Sequence, residues 1–112
     1  MITRETLELA ALAAGIKLVQ CPNGALRDCT GAHPAANLLA MPEWTPHLDD
    51  GDAARLADKL LMYVDSRGTA VRARVVDGEW HRVERDGNPS AWREAVTLCA
   101  AAVGERMREG GA

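Results

Sequence analysis

The chain has 112 residues, 47% of them hydrophobic, 4% aromatic and none phenylalanine, with a net charge of −3. That length fits a single domain, 1–112, that buries roughly two-thirds of its unfolded surface without a disulfide or metal staple. The acidic balance gives no global attraction to nucleic acid. No apolar run nears the roughly 18 residues of a membrane span, and three cysteines, an odd number, suggest no disulfide framework, as in a reducing, cytoplasmic setting.

In chain order, residues 3–14 read as a helix capped by Thr3, with Glu5 in its first turn and Gly15 as its left-handed stop. Glu5 and Glu8 break up the alanine-rich run, which a secretory signal core would not carry. Lys17 to Cys29 reads as a hairpin about Asn23-Gly24; with those two as the loop, Cys21 stands opposite Leu26 and Cys29 opposite Leu18, keeping the cysteines apart. Residues 30–43 have no clean period, and Asn37 to Met41 is an edge strand or a single helical turn.

Trp44 to Leu61, WTPHLDDGDAARLADKLL, is the most interpretable stretch. Pro46 holds Thr45 extended. Asp49, Asp50 and Asp52 crowd the start of a helix, where short carboxylates accept from unpaired N–H groups and face the positive end of the dipole. Ala53, Leu56, Ala57, Leu60 and Leu61 form its apolar face. A DxDxDG calcium loop is the rival reading, but the spacing differs and no glutamate closes the shell. Leu61 to Asp65 reads as a strand. Thr69 to Val76 and Glu79 to Arg85 read as a hairpin about Asp77-Gly78, with Val71, Ala73 and Val75 buried and Arg72 and Arg74 outward. Asn88 and Pro89 suit the start of a closing helix with Trp92, Ala95, Val96, Cys99, Ala100, Val103 and Met107 inward, running to about Arg108 before a frayed 109–112 tail. The first and last helices both carry wide alanine-rich faces. A symmetric homodimer through one of them is expected; the alternative is that they cover each other.

The order of elements, with Trp44, Pro46, Asp49, Asp50, Gly51, Asp52, Ala53, Arg55, Leu56, Ala57, Lys59 and Leu60 and then Asn88 and Pro89, resembles a family of small phage and prophage proteins. It is similar in outline to the NinX type, most closely over residues 44–60, with Thr45 where many relatives have asparagine. The resemblance implies a phage accessory product and brings no assigned activity.

Candidate chemistry is sparse. Cys21, Cys29 and His33 are the only local cluster of metal-ligand types, but zinc sites usually space paired cysteines by two to four residues, so buried cysteines acting as small hydrophobes are the favoured reading. No cysteine has a neighbouring base, so no catalytic residue, metal or cofactor is expected. Arg67, Arg72, Arg74, Arg82 and Arg85 cluster on the second hairpin with Trp80 and His81, and Asp65, Asp77, Glu79, Glu84 and Asp86 offset their field. A salt-bridged solvent face is favoured over a nucleic-acid platform. Trp80 is left open: a two-residue loop sets it opposite Val75 on the apolar face, a three-residue loop turns it out beside the arginines. Trp44 is a core anchor or an exposed hot spot, with the core favoured.

The expected fold is α+β, an antiparallel sheet of four to five strands with three helices largely on one face. The expected function is a non-enzymatic phage or prophage protein that binds and modulates a host or anti-phage defence protein in the host cytoplasm, for instance an anti-CRISPR-type inhibitor. The alternative is a nucleic-acid-binding accessory using hairpin 67–85. Candidate contact residues are Trp44, Asp49, Asp50, Asp52, Arg72, Arg74, Trp80 and Arg82.

Overall fold

Thr3 opens the first helix, α1 (Arg4–Ala14), its hydroxyl accepting from the Thr6 N–H, and Gly15 closes it at φ 71°. This computed structural model describes residues 2–31 and 41–110. His33 and the expected element at Asn37 to Met41, apart from Met41 itself, lie outside the described residues.

β1 (Leu18–Gln20) and β2 (Leu26–Asp28) form the first hairpin, pairing Leu18 with Asp28 and Gln20 with Leu26. This register is one residue off the expected one. The Gly24 N–H bonds the Cys21 carbonyl, and the Cys21 N–H bonds that of Ala25. Three residues therefore make the loop, with Gly24 in the left-handed position at φ 89°. Cys21 and Cys29 still end up at opposite ends of the hairpin.

α2 (Asp50–Lys59) begins at Asp49, whose carboxylate accepts from the Asp52 N–H. It ends before Leu61, which was expected on its apolar face and at the head of the next strand; that strand begins only at Tyr63. Met62 N–H bonds the Ala57 carbonyl and Leu61 N–H that of Asp58, the same terminal wrap that ends α1. In α1 glycine occupies the left-handed position; here Leu61 does, at φ 52° and 74% exposed. A left-handed leucine costs on the order of 1–2 kcal/mol.

β3 (Tyr63–Asp65), β4 (Ala70–Arg74) and β5 (His81–Glu84) follow, and α3 (Ala91–Gly110) closes the described chain. The Asn88 side chain accepts from the Ser90 N–H, so Asn88 caps this helix from just ahead of its assigned start. α3 continues to Gly110, past the expected stop near Arg108.

The class is α+β, but the described strands do not join into one sheet of four to five. They form a two-stranded sheet, β1-β2, and a three-stranded sheet, β3-β4-β5. The reason lies in α3, whose 20 residues span about 30 Å and serve two cores. One joins Ala10, Ala11 and Ala14 of α1 with Trp44, Leu56, Val96 and Ala100, and takes Leu18 of the first hairpin. The other joins Val71 and Ala73 with Ala91, Ala95 and Cys99. The two cores meet at Met62, Val64 and Trp92, which pack against both, so α3 joins the sheets without the strands pairing across. α3 lies on β4 and β5, while α1 and α2 pack on α3. The wide faces of α1 and α3 thus cover one another, leaving Leu12 and Met107 exposed.

Candidate interaction surface

The residues singled out around α2 have structural roles. Trp44 is 4% exposed in the first core, so it is not available to a partner. Asp52 is shared between the Thr45 N–H (3.0 Å) and the Arg55 guanidinium (2.5 Å), locking the Trp44–Pro46 turn onto the helix. Asp50 pairs with Arg93 at 2.7 Å, and Arg93 also donates to the His47 carbonyl, tying the starts of α2 and α3 together. Asp49 is the cap, and Asp49→Ala is expected to cost about 1 kcal/mol in urea unfolding. Millimolar calcium or magnesium should leave the melting temperature in place; a rise of several degrees would restore the metal-loop reading.

The second hairpin settles the register question. β4 pairs with β5 through Val71–Val83, Arg72–Arg82 and Ala73–His81. Continuing that register sets Trp80 opposite Arg74 and leaves a three-residue loop, with the Gly78 N–H bonding the Val75 carbonyl. Strand alternation then sends Val71, Ala73 and Val83 toward α3 and the opposite set outward. On the outer face, Tyr63 of β3 pairs with Arg74, which faces Trp80, and Asp65 pairs with Arg72, which faces Arg82. No helix packs over this face among the described residues.

These side chains form a stacked array. The Arg72 guanidinium carbon lies 4.7 Å from the Trp80 ring centre, and that of Arg74 lies 5.0 Å from Trp80 and 5.6 Å from Tyr63. Such contacts contribute about 0.5–1 kcal/mol each at exposed sites. They hold Tyr63 and Trp80 upright yet 55% and 41% exposed. A groove of about 510 Å³ runs beside them, lined by Tyr63, Asp65, Ser66, Arg67, Arg72 and Trp80.

Asp65 organises the cations. Its carboxylate accepts from Arg72 at 2.7 Å, from the Arg67 side chain at 3.1 Å and from the Arg67 backbone N–H. Hydrogen bonds from Arg67 and then Arg72 hold its carboxyl well below its ordinary 3.8. A carboxyl depressed in the folded state stabilises the fold above its unfolded pKa, and that contribution is lost as pH falls below it. Denaturation midpoints should therefore fall between about pH 5 and pH 2 more steeply in the wild type than in Asp65→Asn. Parallel slopes would remove Asp65 from this role. Arg82 pairs with Glu84 along its own strand, and Arg85 donates to the Ser66 carbonyl.

The cysteines have separate partners. Cys21 Sγ accepts from Arg27 Nε at 3.1 Å, and Cys29 Sγ donates to the Lys17 carbonyl at 3.2 Å. Cys99 and His81 line a second cavity of about 420 Å³ with Glu79, Glu105 and Arg106. Burial pushes the Cys99 thiol up and the His81 imidazole down. That favours an uncharged thiol beside an uncharged ring, rather than an activated thiolate.

Sequence reasoning had Arg72, Arg74, Trp80 and Arg82 together, and the structure places all four on one face. It missed Tyr63, because β3 was read without a register to say which side chains face outward. Fold and surface together define a small α+β domain with an open sheet face of stacked arginines and aromatics. The chain matches no family model, no curated protein and no solved structure.

Proposed function

We propose that this is a non-enzymatic interaction module that grips a partner protein through the open face of its three-stranded sheet. The observation that supports this most is the Tyr63–Arg74–Trp80 row, exposed on the face opposite α3. Tryptophan, tyrosine and arginine are the residue types that dominate interface hot spots, and here stacking fixes them in place before any partner arrives. The carboxylates of Asp65 and Glu84 offset part of the arginine field, which favours a protein over a polyphosphate chain. The resemblance over residues 44–60 suggests a setting: a phage or prophage product in the cytoplasm of its bacterial host, acting on a host or defence protein, with anti-CRISPR-type inhibition one form of that action. No helix among the described residues is long and apolar enough to cross a membrane.

One observation favours a second reading. Trp80 stands beside Arg72 and Arg74, the pairing of a stacking ring with cations that single-stranded nucleic acid uses. Affinity purification from host lysate, with and without nuclease, separates the two. The expected result is one protein recovered in both arms and weakened by about 30-fold or more with Trp80→Ala. Recovery that nuclease abolishes moves the assignment to nucleic acid.

A further inference from the structure

Arg74 differs from the other arginines on this face. Arg67 and Arg72 share the Asp65 carboxylate, and Arg82 pairs with Glu84. Arg74 has no ion pair or side-chain hydrogen bond among the described residues, and its Nε is buried without an acceptor. Its guanidinium carbon lies over the Trp80 and Tyr63 rings, and with Nε buried the terminal nitrogens are the donors left for an outside acceptor.

Its neighbours are the two rings and Arg72, which shares the Trp80 ring, with exposed aliphatic side chains further out. Tyr63 and Trp80 flank it, and Val76, two residues further along the chain, is 62% exposed. Leu61, two residues before Tyr63, stays exposed in a left-handed conformation that glycine would adopt without strain. Continuing the β3–β4 register brings Leu61 opposite Val76 at the Arg74 end of the sheet, so exposed hydrophobes and a cation lacking its counter-ion lie where one partner would cover them together.

We infer that Arg74 anchors this surface by taking a carboxylate of the partner, an aspartate or glutamate side chain flanked by apolar residues. This rests on the protein-binding reading above. The guanidinium fork matches a carboxylate in a bidentate pair, and an apolar rim that excludes water strengthens such a pair. A run of phosphates would meet Asp65 and Glu84 on the same face, whereas a single carboxylate meets an unneutralised arginine.

The test is selection from a random peptide display library, followed by fluorescence anisotropy of the enriched peptides. The expected winners carry aspartate or glutamate next to apolar residues. Their affinity should fall roughly 30-fold or more with Arg74→Gln, and equally when the peptide's carboxylate is replaced by its amide. Arg74→Lys keeps the charge and loses the fork, so it should also bind at least about tenfold more weakly. Unchanged melting temperatures establish that each variant is folded. Enriched peptides that depend on Trp80 but lack a carboxylate, or bind Arg74→Gln as well as the wild type, overturn the anchor and leave the protein-binding reading in place. Absence of any Trp80-dependent enrichment overturns both; Trp80-dependent binding of labelled oligothymidylate then assigns the face to nucleic acid.

Discussion

Gly104→Ala is expected to be among the most damaging single-methyl changes in the chain, lowering stability by about 3 kcal/mol and the melting temperature by roughly 10–20 °C. A Cβ at this position would lie 1.9 Å from the Leu9 carbonyl oxygen and 2.6 Å from its carbon. Those atoms are backbone of α1, so no side chain can rotate away to make room. The helices would have to part, opening the layer where Ala10, Ala11 and Ala14 meet Ala100 and Ala101. Alanine and glycine let the two backbones approach closely, and with so few aromatics in the chain that closeness replaces bulk as the source of packing. Gly110→Ala is the control: nothing lies within 4 Å of its added methyl, and the variant should melt with the wild type or slightly above it. A Gly104→Ala protein melting within about 2 °C of the wild type would mean that α1 and α3 do not meet in this way.

The second large effect separates two tryptophans. Trp44→Ala should cost about 3–5 kcal/mol, because the ring is 4% exposed and fills the first core between α1, α2 and α3. Such a loss is a large share of the stability of any small domain, so part of the protein should be unfolded at 37 °C. Trp80→Ala should cost only about 1–2 kcal/mol, since the ring is 41% exposed and its main contacts are two stacked arginines. Urea unfolding followed by circular dichroism reads the first effect, and partner binding reads the second. If Trp44→Ala proved as stable as the wild type, the Trp44–Pro46 turn would have to be reassigned from core to surface.

Much of this was legible because its causes are local. Thr3 and Asp49 cap their helices through side chains that reach only three residues along the chain, to Thr6 and Asp52. Gly15 ends α1 because its own backbone tolerates φ 71°, and the alternation of Val71 and Ala73 with Arg72 and Arg74 follows from the pleat of one strand. Both hairpins were visible in Asn23-Gly24 and Asp77-Gly78, yet their registers were not. A turn pair shows where the chain reverses, while loop length depends on which cross-strand partners pack best. One residue in the first hairpin exchanged Cys21 for Gln20 opposite Leu26, and in the second the three-residue loop turned Trp80 outward.

The sequence by itself therefore determined where the three helices start, how α1 ends, where the two hairpins turn and the two-sided patterning of β4, all of which arise from neighbours within a few residues. Tertiary structure decided the rest. It divided the strands between two sheets because one long helix supports two cores. It buried Trp44 and exposed Trp80, although both are tryptophans beside charged residues. It also made Gly104 the point where two helices touch. Each of these depends on atoms brought together from distant parts of the chain, and no local preference encodes which distant surface a residue will meet.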